Sequence, residues 1–136
     1  MVDKALKEKL AAKIDEGDFG PADLPEFLTL FCQIGNESDD VQEEVEGFTK
    51  TYQFDLEGGE AFWLTVEDGK FTGGAGQAAK ADITLRTTAA TGAKIFTGEK
   101  DATSAYQSGA LKIEGQLPDA VKLRALIEIV REEIEG

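Results

Sequence analysis

Carboxylates supply most of the chemically reactive side chains here, because the 136 residues include 27 acidic residues, one cysteine and no histidine. The absence of imidazole excludes Ser-His-Asp and Cys-His catalysis and histidine-ligated metals. Paired carboxylates can act as general acid and base, but acids such as Asp55 and Glu57 fall at strand ends in no recognisable constellation. Cys32 lies in an apolar helical run, which is typical of a small core residue. We therefore predict no catalytic residue and no enzyme activity.

Two segments match a ligand-binding pattern without the structural context that the chemistry requires. Residues 37–46 carry six acids, which suits a metal site, but a solvated helix with favourable charges in its first turn explains them better. Residues 74–79 fit the dinucleotide fingerprint Gly-x-Gly-x-x-Ala. A strand is predicted from about residue 82, so no phosphate-binding helix can follow. We predict no metal and no cofactor.

The charge balance limits the partners and the location. The formal net charge of −13 disfavours contact with nucleic acid or with anionic membrane surfaces. The sequence has no run of about 18 apolar residues, so stable membrane insertion is not expected. Residues 1–16 lack the apolar centre of a signal peptide, and a single cysteine does not call for an oxidising compartment. We expect a cytoplasmic protein.

Apolar spacing predicts an α+β fold of two layers. Residues 2–14 and 23–34 have helical periodicity, and the second of these helices is apolar on more than one face. From Phe48 the period changes to two, which predicts strands near residues 48–56, 62–66, 70–72, 83–85 and 111–113 joined largely as an antiparallel meander. We assign residues 1–36 to an N-terminal helical extension and residues 37–136 to the main domain, and expect one compact unit.

The final predicted helix carries apolar residues on two faces. One stripe, including Leu123 and Leu126, is expected to pack on the sheet. The other, Val121, Ala125 and Ile129, must be covered by the N-terminal helices, by a ligand or by a second copy of the chain, or stay exposed as a small patch. Aromatic residues from separate elements, among them Phe27 and Phe96, either fill an ordinary core or surround a cavity.

Residues 40–134 resemble the sterol carrier protein type 2 family. The resemblance rests on residues 81–85 (Ala-Asp-Ile-Thr-Leu), a helix ending at residues 95–98 (Ile-Phe-Thr-Gly), and residues 111–115 (Leu-Lys-Ile-Glu-Gly) before the closing helix. Residues 41–56 are similar to that family's helix leading into the first strand. The resemblance implies a five-stranded, largely antiparallel sheet with helices on one face around an apolar cavity.

The same resemblance implies non-catalytic binding of a long apolar ligand: a fatty acid, a fatty acyl-coenzyme A, an isoprenoid or a sterol-like lipid. The alternative is a scaffold or dimerisation module with a packed core, accessory to a larger assembly and pairing through Val121, Ala125 and Ile129. The residues that we predict to line the cavity are Phe27, Phe31, Phe54, Phe62, Leu64, Leu85, Phe96, Tyr106, Ile113 and Leu126.

Overall fold

The computed structural model describes residues 2–135, which form six α-helices, one 3₁₀ turn and five strands. The helices are α1 (Lys4–Glu16), α2 (Leu24–Glu37), α3 (Asp39–Glu44), α4 (Ala89–Thr97), α5 (Ala102–Gln107) and α6 (Leu117–Glu135), and the 3₁₀ turn is Pro21–Asp23. The strands are β1 (Lys50–Glu57), β2 (Phe62–Glu67), β3 (Lys70–Ala75), β4 (Ile83–Thr88) and β5 (Lys112–Glu114). None of the helices in the described range is long and apolar enough to span a bilayer.

The strands form one mixed sheet in the order β3-β2-β1-β4-β5. The β1–β2, β2–β3 and β4–β5 pairs are antiparallel, which confirms the predicted α+β class with a largely antiparallel sheet. The β1–β4 pair is parallel, with Phe54 opposite Leu85. A simple meander does not describe this central pair, because the chain after β3 crosses the outer face of the sheet to reach the free edge of β1, and on the way the Ala78 N–H donates to the Gln53 side-chain oxygen at 2.7 Å.

The helices cover one face of the sheet. Alternate residues of β1, including Tyr52 and Phe54, are buried against them. The opposite face carries polar side chains, where Arg86 pairs with Asp55 at 3.4 Å and with Glu114 at 2.6 Å. Strand alternation thus separates an apolar inner face from a polar outer face.

The N-terminal segment shares the core of the main domain. α1 packs on α2 and α6, and Leu10 on its inner face is completely buried. Lys13 near the end of α1 donates to the Asp23 carboxylate at 2.8 Å, and the same carboxylate accepts from the Gly20 N–H at 3.0 Å. These contacts fix α1 to the start of α2.

Asn36 pairs with the outer edge of β3. Its side-chain oxygen accepts from the Phe71 N–H at 2.7 Å, and its side-chain nitrogen donates to the Phe71 carbonyl at 3.1 Å. The carboxamide thereby takes the place of a neighbouring strand at this position, which protects an edge strand from pairing with another chain.

Candidate functional site

An apolar cavity of about 290 Å³ lies between the inner face of the sheet and the helices α4, α5 and α6. β1 and β4 provide its floor, β5 one side, and the N-terminal half of α6 its roof. Its lining residues are Phe54, Leu56, Leu85, Thr87, Gly92, Ile95, Phe96, Ala102, Thr103, Tyr106, Gln107, Leu111, Ile113, Leu117, Ala120, Val121, Leu123, Arg124 and Ile127.

Small residues leave the space open. Gly92 on α4 is buried against Leu56, and a Cβ at that position would approach the Leu56 side chain to 3.0 Å. Ala102 on α5 and Ala120 on α6 bring only a methyl group to the lining. Longer side chains at Ala102 and Ala120 would extend into the cavity, whereas a side chain at Gly92 would press against Leu56.

Few polar groups reach this cavity. The Thr87 hydroxyl donates to the Ala110 carbonyl at 2.8 Å, so it does not donate a hydrogen bond into the cavity. Thr103, Tyr106, Gln107 and Arg124 are exposed residues of α5 and α6. The arrangement is an apolar chamber with its polar groups at the rim, which is how small-molecule sites generally fix a ligand's orientation.

The rim also exposes large apolar side chains to solvent. Tyr106 is 41% exposed, Leu117 49% and Val121 62%. In the described part of the chain, these are the large hydrophobic side chains that are exposed to solvent, and all three line this cavity. An apolar rim around an apolar chamber provides a continuous apolar surface along which a lipid-like molecule can enter.

Arg124 is the charged residue of the cavity lining, and two carboxylates flank it. Its Nε lies 3.2 Å from Asp101 Oδ1 and 3.6 Å from Glu128 Oε1, and its Nη1 lies 3.4 Å from Thr103 Oγ1. The Ser104 N–H donates to Asp101 and, together with the nearby Arg124 charge, lowers the pKa of that carboxyl group below its ordinary value. Asp101 therefore stays ionised beside Arg124 at neutral pH.

Half of the residues predicted to line a cavity lie together around this one. They are Phe54, Leu85, Phe96, Tyr106 and Ile113. Phe54 and Leu85 are opposite each other in the parallel β1–β4 pair, and Phe96 faces them from α4. Their contact with a ligand stays a prediction.

The other five predicted residues lie away from this cavity. Phe27, Phe31, Phe62 and Leu64 surround a crevice with essentially no space for even a water molecule. The ring centroids of Phe27 and Phe96 are 5.6 Å apart and those of Phe54 and Phe62 4.7 Å apart, which are normal distances for aromatic packing. Leu126 is completely buried in the core. The four side chains around the crevice fill the part of the interior beside α2.

The only α6 residue predicted to line the cavity was Leu126, and Val121 was assigned to a second stripe that a ligand, a helix or a second copy could cover. Leu117, Ala120, Val121, Arg124 and Ile127 follow helical spacing, so one face of the helix turns toward the cavity. That helical spacing was the signal available in the sequence, but Arg124 interrupts the apolar stripe.

Of the predicted second stripe, Val121 is exposed, whereas Ala125 and Ile129 are half-buried. Its pairing with a second copy stays a prediction.

A second depression of about 870 Å³ lies between α2, the 3₁₀ turn and the end of the sheet. Its lining is mixed, with Gln33, Asn36 and Glu60 beside apolar residues. Cys32 is half-buried in this wall, and burial raises the pKa of its thiol to about 11, so it is protonated at neutral pH. This lining is less suited to an alkyl chain than the cavity under α6.

Comparisons with known proteins agree with this architecture. The chain is 35% identical over 89 residues to hydroxysteroid dehydrogenase-like protein 2 from Xenopus tropicalis, covering 63% of this chain and 21% of that protein. The structure is similar to a crystal structure of sterol carrier protein 2, with a TM-score of 0.64, 21% identity, and coverage of 77% of this chain and 93% of that one.

It is also similar to the sec-alkylsulfatase Pisa1 from Pseudomonas sp., with a TM-score of 0.60, 24% identity, and coverage of 76% of this chain and 15% of that chain. The match thus spans about a fifth or less of two much longer proteins. A profile of the SCP-2 sterol transfer family matches residues 29–128, which is most of the chain. The fold, the layer arrangement and this match together show that the chain belongs to the SCP-2 sterol transfer family.

Proposed function

We propose that this protein binds and carries a long apolar ligand, without catalysing a reaction, in the cavity under α6. Membership of the SCP-2 family implies lipid binding or transfer as the general function. The observation that carries the finer proposal is the chamber of about 290 Å³ whose lining is apolar except at its rim. A ligand there is held by apolar burial, the dominant favourable term in such sites.

The free energy of burying an alkyl chain is compatible with reversible binding. Each buried methylene contributes about 0.8 kcal/mol, so a chain of about twelve carbons gains roughly 10 kcal/mol before the cost of association. At the lower end of a cost of about 4–15 kcal/mol, this leaves about 6 kcal/mol, which corresponds to a dissociation constant of tens of micromolar. Such an affinity allows the ligand to be taken up and released.

The direct test is native mass spectrometry of freshly purified protein, followed by organic extraction and titration with dodecanol and dodecanoate. Ala120→Phe places a ring inside the cavity and is expected to lower the affinity at least tenfold. Ala90→Phe, at an exposed position of α4, is the matched control and should bind like the wild type. Circular dichroism melting shows that both variants are folded. If the wild type carries no extractable lipid and binds neither ligand, the carrier function is wrong.

An accessory or dimerisation role is the second candidate. Val121 and Leu117 form an exposed apolar surface on α6, and in two of the matched proteins the matching region is a small part of a longer chain. If this surface pairs with a second copy, light scattering should give a dimeric mass that Val121→Glu reduces to that of a monomer. Ala12→Glu, on an exposed face of α1, is the control. A monomeric wild type at all concentrations contradicts the homodimer.

A further inference from the structure

The size of the cavity under α6 restricts what fits inside it. An apolar protein cavity of about 150 Å³ holds one benzene ring. At the same density of carbon atoms, the 290 Å³ observed here holds roughly a dozen carbons. A fused-ring sterol has more than twice that number. The volume therefore favours a single alkyl chain over a sterol skeleton.

The charges at the rim restrict the ligand's polar end. An anionic head group would be recognised by Arg124, the cation of the lining. Arg124 is already paired with Asp101 at 3.2 Å and lies 3.6 Å from Glu128, so this group of three charges has a net charge of −1. The whole chain adds to this with a formal net charge of −13. A ligand carboxylate at this rim would have to compete with two protein carboxylates for one guanidinium.

Uncharged hydrogen-bonding groups are present at the same rim. Thr103 and Tyr106 offer hydroxyl groups, and Gln107 offers a carboxamide. All three residues lie on α5 and are exposed, so they can bond a ligand's hydroxyl or amide without leaving a buried group unpaired. Neutral polar ligands lose less hydration energy than ions at such an apolar opening.

We propose that the cavity under α6 selects a neutral single-chain amphiphile of up to about a dozen carbons, such as a fatty alcohol, over the fatty acid of the same length. The selection rests on the proposed carrier function, and Asp101 and Glu128 are its specificity-determining residues. They act by neutralising Arg124 and by repelling an anionic head group.

The test compares decanol with decanoate by isothermal titration calorimetry at a pH at which decanoate is ionised. The wild type is expected to bind decanol at least tenfold more tightly. Because an alcohol is intrinsically more apolar than a carboxylate, the decisive measurement is the same ratio in the double variant Asp101→Asn/Glu128→Gln. Asparagine keeps the cap of α5, since Asp101 accepts from the Ser104 N–H and asparagine is an equally good N-cap.

The double variant should reduce the preference for decanol at least fivefold by strengthening decanoate binding. The control Asp40→Asn/Glu132→Gln removes the same net charge at exposed positions of α3 and α6 and should leave the ratio unchanged. A ratio that is the same in the double variant, or that changes equally in the control, overturns the proposal. Wild-type protein that prefers decanoate also overturns it, while the carrier function stands. Failure to bind either ligand overturns both.

Discussion

Phe54 on β1 and Phe96 on α4, whose ring centroids lie 5.4 Å apart, form the wall between two parts of the interior. On one side of this wall, Phe27, Phe62 and their neighbours pack without usable space. On the other side, both rings line the cavity under α6. The same two side chains therefore stabilise the core and limit the depth of the cavity.

Replacing Phe96 with alanine should remove this wall. Phe96 is buried, and such a truncation costs about 3–5 kcal/mol of unfolding free energy. Because the lost ring also enlarges the cavity, the best-bound alcohol should become longer by several carbons. Urea unfolding and calorimetry with a series of alcohols measure the two effects. Phe48→Ala, at a half-buried position outside the cavity lining, should leave the preferred chain length unchanged.

The sheet could be predicted from the sequence because apolar and polar residues alternate along β1. Tyr52, Phe54 and Leu56 are buried, with polar residues between them. The parallel pairing of β1 with β4 could not be predicted, because alternation fixes which side of a strand is buried and not which strand lies beside it.

The position of the cavity was harder to predict for a different reason. A ring that fills a core and a ring that lines a cavity have the same sequence pattern, so Phe27 and Phe96 were indistinguishable. The distinguishing feature is that small side chains, Ala102 and Ala120, face the rings on the cavity side. Whether a small side chain leaves an unfilled space depends on which helices and strands pack against it, and the local periodicity of the sequence does not determine that packing.

Asn36 is expected to protect the edge of β3. Asn36→Ala removes both hydrogen bonds to Phe71, which should cost about 1–2 kcal/mol of unfolding free energy and leave the edge open to other chains. Urea unfolding and static light scattering at rising concentration measure both effects. Thr29→Ala, at an exposed position of the same helix, should change neither. Unaltered stability and scattering in Asn36→Ala would show that the edge needs no such cover.

The contact between Lys13 and Asp23 predicts a pH-dependent stability. Burial opposes ionisation of Asp23, but the hydrogen bonds from Lys13 and the Gly20 N–H outweigh it and hold the pKa of Asp23 below the ordinary value of 3.8. A pKa that is lower in the folded state means that ionised Asp23 stabilises the fold above the ordinary value. This contribution is lost as the pH falls through the folded-state pKa.

Asp23→Ala should therefore lower the unfolding free energy by about 1 kcal/mol near neutral pH. The difference from the wild type should shrink below about pH 4. Lys13→Met removes the same ion pair, so its difference from the wild type should also shrink in acid; in addition it should shrink as the pH rises through the pKa of Lys13, which the bond to Asp23 raises. Urea unfolding at a series of pH values measures both. If the unfolding free energies of the wild type and Asp23→Ala differ by the same amount at every pH down to acid unfolding, Asp23 does not have this role.

Tyr52 should hold the start of α6 over the sheet. Its hydroxyl is buried and donates to the Asp119 carbonyl at 2.7 Å, and burial raises the pKa of Tyr52 above its ordinary value, so the donor stays protonated. Tyr52→Phe leaves the Asp119 carbonyl without this donor, which should cost about 1–2 kcal/mol. Because Ala120 and Val121 follow directly and line the cavity, decanol affinity should fall as well. Tyr106→Phe, with an exposed ring, should leave stability unchanged, and an equal loss of unfolding free energy in both variants would contradict the anchoring role.

A homologous series of alcohols should locate the end of the cavity. Each added methylene that is buried contributes about 0.8 kcal/mol, or roughly a fourfold gain in affinity. The gain should stop near a dozen carbons, because the 290 Å³ is then full and further methylenes extend past the exposed rim at Leu117 and Val121. In Ala120→Phe the gain should stop several carbons earlier. If the affinity instead rises without a break to octadecanol, the chain must lie elsewhere, and the 870 Å³ depression beside α2 becomes the binding site to test.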